Sequence, residues 1–210
     1  MKIKFCGNRL GQDIAYCNQL QPDYVGMILS PGFRRSITME QAAAITRYRA
    51  PYLQMVGVFV NETTETICKY IETVPLDIIQ LHGKETHAQI VALRKACSLP
   101  IWKAVHIRTP DDVRRAEQLE ADCLIIEGYT PNQAGGTGVV ANWKMLAERP
   151  PQQPWFLAGG LKPDNVADAL QILHPDGVDF SSGTETYGKK DFHKMESIVR
   201  TVRGESPWKK

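Results

Sequence analysis

Trp155-Phe156-Leu157-Ala158-Gly159-Gly160-Leu161 and the later Gly177-Val178-Asp179-Phe180-Ser181-Ser182-Gly183 are two short apolar runs, each closed by small residues. Such a run reads as a buried strand whose end leaves backbone N–H groups open to a ligand. In a (β/α)8 barrel the loops after strands 7 and 8 commonly bind a phosphate together, helped by a helix N-terminus. Gly-Gly and Ser-Ser-Gly also occur as plain turns. Both together, at this spacing, point to a fold, a face and a ligand class. The candidate phosphate contacts are Gly159, Gly160, Ser182 and Gly183.

Upstream, six more apolar runs recur, at residues 3–6, 24–29, 54–60, 77–81, 101–105 and 123–126. Their continuous apolar character fits parallel strands buried on both faces. Most intervals between them can hold a helix, for example 39–49, 63–73, 86–97, 111–119, 164–173 and 192–203. Thr38 followed by Met39-Glu40-Gln41 is a capping-box pattern. Thr109-Pro110-Asp111-Asp112 and Lys162-Pro163-Asp164 place proline and acids where a helix opens. Strand and helix alternate throughout, which means α/β. Eight units predict one closed barrel over residues 1–204, with 205–210 as a polar tail; an open doubly wound sheet is the other arrangement this pattern allows.

The chain has 210 residues, with 25 basic and 23 acidic side chains and a formal net charge of +2. That balance offers no electrostatic case for nucleic acid or an anionic membrane as partner. The longest apolar runs are far too short to cross a bilayer. Lys2 and Lys4 lead into Cys6-Gly7-Asn8-Arg9 with no apolar stretch of a signal peptide, so a cytoplasmic setting is expected. Cys6, Cys17, Cys68, Cys97 and Cys123 are widely spaced and form no C-x-x-C pair, which argues against a disulfide framework or a structural zinc site.

Functional residues of a barrel sit at the C-terminal ends of its strands. Those ends here carry Cys6-Gly7, Gln80-Leu81-His82-Gly83, Glu127-Gly128 and Asp179 with Ser181-Ser182-Gly183. A thiol and a carboxylate from different strands would face one pocket, a pair suited to removing one proton and donating another. Singly, each has a plain reading: a small buried cysteine, a rim carboxylate, a core imidazole at His82, a loop cation at Arg35. The segment Glu127 to Gly138 holds four glycines but matches neither a P-loop nor the dinucleotide fingerprint. It reads as a loop able to close over a substrate, with Gly136 a further candidate phosphate contact.

On these motifs the chain resembles the phosphoribosylanthranilate isomerases of tryptophan biosynthesis. The resemblance runs nearly end to end. It is carried by Lys4-Phe5-Cys6-Gly7, by Val56-Gly57-Val58-Phe59-Val60-Asn61, by Gln80-Leu81-His82-Gly83, by Gly135-Gly136-Thr137-Gly138, by Ala158-Gly159-Gly160-Leu161, and by Gly177-Val178-Asp179 with Ser181-Ser182-Gly183. It implies a single (β/α)8 TIM barrel of the ribulose-phosphate-binding type, working without cofactor or metal. The implied reaction is the Amadori rearrangement of N-(5-phosphoribosyl)anthranilate to 1-(2-carboxyphenylamino)-1-deoxyribulose 5-phosphate. Cys6 then matches the general base. Glu127 stands where the family's general acid, normally Asp, ends strand 6. Arg35 matches the arginine that meets the anthranilate carboxylate, and Gln80, His82 and Asp179 match pocket-lining positions. Three departures mark a divergent member: Glu for Asp at 127, Ala141-Asn142-Trp143 in place of Phe-Asp-Trp, and Asn8-Arg9 after Cys6-Gly7. The extra methylene at Glu127 leaves open a non-catalytic or altered-specificity phosphosugar-binding barrel, since a fold does not fix a function.

Overall fold

The computed structural model describes residues 1–127 and 143–204. Eight parallel strands close into a barrel in sequence order: β1 (Lys2–Phe5), β2 (Tyr24–Ile28), β3 (Gln54–Phe59), β4 (Ile78–Leu81), β5 (Ile101–His106), β6 (Cys123–Glu127), β7 (Trp155–Leu157) and β8 (Gly177–Phe180). The open sheet is thereby excluded, because β1 pairs with β8 as well as β2. The helices are α1 (Gln12–Leu20), α2 (Met39–Tyr48), α3 (Thr64–Thr73), α4 (His87–Ala96), α5 (Pro110–Glu117), α6 (Trp143–Glu148), α7 (Val166–Ile172) and α8 (Phe192–Arg203). The glycine-rich segment with Gly136, the Ala141-Asn142 departure and the 205–210 tail lie outside the described residues. Among the described residues, no helix is long and apolar enough to cross a membrane.

Side chains alternate across each strand, and this alternation creates two cores. Ile3, Phe5, Val25, Met27, Ile79, Leu81, Leu124, Ile126, Val178 and Phe180 face the helices and build the larger one. Cys6, Val56, Val58, Ile78, Trp102, Cys123, Ile125, Phe156 and Ala158 fill the barrel itself. Tyr24 packs on Trp102 and Phe156 with ring centroids 4.9 and 5.6 Å away, and Trp102 on Phe156 at 5.0 Å. Edge-on aromatics of this size fill the barrel interior on the inward side. Fully burying one such apolar side chain stabilises by about 1.5–3 kcal/mol.

The helix starts show how local chemistry sets the frame. Thr38 and Thr109 each close a capping box, with Gln41 and Asp112 respectively. The third expected start is displaced. Pro163 and Asp164 belong to a turn, and α7 opens only at Val166. Asn165 is the cause: its Oδ1 accepts from Lys162 N at 2.9 Å and its Nδ2 donates to Gly160 O at 2.9 Å. The side chain thus stabilises the turn beneath Gly159-Gly160 and does not cap the helix. A short hairpin, β9 (Glu185–Thr186) and β10 (Lys189–Lys190), sits between β8 and α8 and was not anticipated.

Candidate active site

The inward positions at the C-terminal strand ends converge on one cavity of about 330 Å³. Cys6, Arg35, His82, Glu127, Asp179, Gly159, Gly160 and Ser182 all line it, together with Arg34 and Val58. Cys6 follows β1, and Glu127 ends β6, three strands away around the ring through β8 and β7. The glycine turn after β7 and the serine turn after β8 lie between them.

Cys6 is buried beside two ammonium groups. Lys4 precedes it by two residues on β1, so both point inward, and the Lys4 ammonium favours the thiolate. A Cβ on Gly26 would sit 2.9 Å from Cys6 Sγ and 3.1 Å from Lys4 Nζ, so glycine there leaves room for this pair. Register places Lys4 directly opposite Asp179, and Lys4 Nζ donates to Asp179 Oδ2 at 2.9 Å. Burial works against the Lys4 ammonium, but Asp179 and Cys6 outweigh it and hold it charged above its ordinary range. Burial also pushes the Cys6 thiol up; Lys4 and then Lys190 oppose this, and the thiol stays above its ordinary value. Asp179 Oδ1 is buried with no protein partner among the described residues.

Glu127 meets His82. His82 Nε2 lies 3.3 Å from Glu127 Oε2, an ion-pair distance, and that oxygen has no hydrogen-bond partner among the described residues. Burial raises the Glu127 carboxyl, but His82, His106 and Lys4 outweigh it, so the group is held below the usual carboxylate range. Gln80 does not reach the cavity wall expected of it. It is fully buried behind His82, with Nε2 2.9 Å from His82 Nδ1. Gln80 orients the imidazole from the layer below.

Of the phosphate candidates, Gly159 and Gly160 have φ of 75° and 67°, a conformation that favours glycine. Their N–H groups are taken by no protein acceptor among the described residues. Gly183 is placed differently from the others. It lines the adjoining cleft, and a Cβ there would collide with Leu161 O, so its glycine packs the two turns against each other. At α8 the N-terminus is capped by its own Asp191, which accepts from His193 N and Lys194 N.

Two residues of the hairpin gave no signal in the sequence. Lys190 Nζ donates to Cys6 O at 2.7 Å, Thr184 Oγ1 at 2.8 Å and Ser181 O at 3.2 Å, joining β1 to the serine turn. Burial brings this lysine down to about 8. Glu185 receives Arg35 and Arg34, so Arg35 is not a free loop cation. Lys4 stood inside a quoted motif without a role; strand alternation with Cys6 could have found it.

The chain matches the family described as N-(5'phosphoribosyl)anthranilate (PRA) isomerase over residues 3–201. It is 40% identical over 204 residues to N-(5'-phosphoribosyl)anthranilate isomerase of Thermoanaerobacter pseudethanolicus, covering 97% of this chain and 98% of the relative. To the protein of the same name from Neisseria meningitidis serogroup B it is 35% identical over 205 residues, covering 96% of each. Among solved structures it resembles phosphoribosyl anthranilate isomerase from Thermotoga maritima, with a TM-score of 0.87, 29% identity and coverage of 97% and 99%. It equally resembles a phosphoribosyl anthranilate isomerase in complex with reduced 1-(o-carboxyphenylamino)-1-deoxyribulose 5-phosphate, at TM-score 0.84, 28% identity and the same coverage. With the whole barrel aligned in sequence and in space, the chain belongs to the N-(5'-phosphoribosyl)anthranilate isomerase family.

Proposed function

We propose that this chain is a working phosphoribosylanthranilate isomerase of tryptophan biosynthesis, acting in the cytoplasm on the single phosphosugar substrate. The observation that carries the reading is the meeting of Cys6 and Glu127 in one cavity, with open glycine amides after β7 and Arg35 at its wall.

The 5-phosphate rests on the turns at Gly159-Gly160 and Ser182, and the anthranilate carboxylate on Arg35. Glu127 gives a proton to the furanose ring oxygen; the C1–oxygen bond breaks, and the nitrogen lone pair forms the iminium. The Cys6 thiolate then takes the proton from C2. The C–H electrons form the C1–C2 double bond, and the enol-amine passes to the ketone by proton transfer.

Two features of the site shape these roles. Glu127 is ionised at neutral pH when held by His82. A substrate that brings phosphate and carboxylate charge into the cavity and displaces water raises its proton affinity, which is the direction an acid requires. At Cys6, the ammonium of Lys4 offsets part of the penalty that burial places on the thiolate.

The test is a steady-state assay with freshly made phosphoribosylanthranilate, following the loss of anthranilate-type fluorescence. Turnover is expected from the native protein. Cys6→Ser and Glu127→Gln should each lower kcat by about 10²–10⁴-fold, the usual contribution of a positioned acid or base. A native protein that binds the reduced product analogue without turnover would instead be the non-catalytic barrel.

A further inference from the structure

Arg35 reaches the cavity from the loop after β2, but the group that fixes it comes from the far side of the barrel closure. Glu185 opens β9, two residues after Gly183. Its side chain is only 6% exposed, and its two oxygens serve two different arginines. Oε1 receives Nε of Arg35, and Oε2 receives Nη2 of Arg34 at 2.6 Å.

The choice of edge matters. A guanidinium presents its donors as a planar fork, and the Nε edge and the Nη1/Nη2 end can each receive an anion. With Nε engaged by Glu185, the Nη1/Nη2 end of Arg35 has no protein acceptor among the described residues, while the side chain lines the cavity. That end has the geometry for a bidentate carboxylate. A charge already paired with Glu185 exerts less pull on an anion, so what Glu185 supplies is orientation.

The surroundings hold this arrangement in place. A Cβ on Gly7 would collide with Cδ of Arg35, so the stem runs across bare backbone after β1. A Cβ on Gly188 would come within 2.8 Å of Arg34 Nη1. Gly188 O in turn accepts from Arg9 Nη2 at 3.1 Å and from Arg34 Nη1 at 3.3 Å. The hairpin is therefore tied to the loops after both β1 and β2.

We propose that Glu185 is a positioning residue that presets Arg35 and so sets the preference for an ortho-carboxylate on the arylamine, linking that end of the substrate to the serine turn two residues upstream. This rests on the reading that Arg35 meets the substrate carboxylate.

The experiment measures inhibition by two ligands, the reduced 1-(o-carboxyphenylamino)-1-deoxyribulose 5-phosphate and its counterpart with a plain phenyl ring. The ratio of their inhibition constants reads the carboxylate preference. Arg35→Met should abolish that preference. Glu185→Ala should reduce it by about 10–100-fold, the range of a lost charge-assisted contact, while the plain phenyl ligand binds as before. KM should rise with kcat little changed. Glu185→Gln keeps size and one acceptor oxygen, so it should fold even where Glu185→Ala does not, and should lose a few-fold of the preference.

A preference unchanged in both Glu185 variants, but lost in Arg35→Met, overturns the inference and leaves the Arg35 reading intact. Equal weakening of both ligands in the Glu185 variants also overturns it, assigning Glu185 to the serine turn alone. A preference retained in Arg35→Met removes the Arg35 reading and the inference with it.

Discussion

Lys103 with Glu85 and Lys4 with Asp179 are both buried ion pairs, at 3.0 and 2.9 Å. The first is saturated. Lys103 Nζ also donates to Gly83 O and Ala104 O at 2.9 Å each and, more distantly, to Leu81 O. Glu85 Oε1 accepts from Asn61 N at 2.8 Å, and Oε2 from Gly83 N at 2.9 Å. These contacts join the loops after β3 and β4 to β5, and with the charge of Lys103 they hold Glu85 ionised below its usual range against burial. The second pair is unsaturated. Asp179 Oδ1 has no partner among the described residues, and the other neighbour of Lys4 is a thiol in the cavity. Lys103 lies on the outward side of its strand and Lys4 on the inward side. A buried polar group with every valence met is structural, while one with valences open toward a cavity is available for chemistry.

The comparison breaks if the two lysines prove equivalent. The largest expected effect is on activity in Lys4→Met. For a charge pair at close range and an effective dielectric of about 20, removing one partner withdraws about 4 kcal/mol, roughly 10³-fold in thiolate population. kcat/KM in the fluorescence assay should fall toward that factor. Stability should fall by only about 1–3 kcal/mol, because water in the cavity reaches the freed carboxylate.

Lys103→Met should show the reverse. It leaves Glu85 and several carbonyls without their cation, a loss of about 3–5 kcal/mol in denaturant unfolding. Protein that remains folded should keep kcat within about twofold, since ordinary effects away from the reacting groups are small.

A third measurement sharpens the contrast inside the open site. Glu127→Asp restores the family's usual residue but shortens the reach to His82. Misplacement by about 1 Å can lower a rate by about 10²-fold. If the pocket has adapted to Glu, kcat should fall by up to that factor; a faster Asp variant would mean the native residue is impaired.

The last measurement is a pH shift. Burial raises the Cys6 thiol despite Lys4, so the thiolate forms only as pH rises past the ordinary thiol range. Iodoacetamide labelling of Cys6, read by peptide mass spectrometry, should have its midpoint above about 8.5. Lys4→Met should move it further up, and Asp179→Asn, which removes the opposing charge, should move it down. A midpoint indifferent to both would reduce Lys4 to the same structural class as Lys103.

Much of the barrel was legible because each strand is a continuous apolar run and most helix starts carry their own caps. The strand edges moved by a residue or so, as at Cys6, which lies just past β1. The α7 start moved because Asn165 had a stronger use in the turn below Gly160 than at the helix. In the site, Cys6, Glu127, His82 and Asp179 were readable as strand-end residues. Gln80 and Gly183 were readable as near the site, but their depth was not.

The sequence by itself determined the eight-fold alternation, the apolar strands, the glycine turns with φ near +70° and the residue types at the strand ends. These depend on local pattern and on the short reach of backbone sterics. Only the tertiary structure decided that Lys4 meets Asp179, that Lys190 supports Cys6, and that Glu185 holds Arg35. Each of those pairings spans a closed ring in which β1 and β8, distant in the chain, are neighbours. A strand buried on both faces reads the same from either side, so its inward face is fixed only by register and closure.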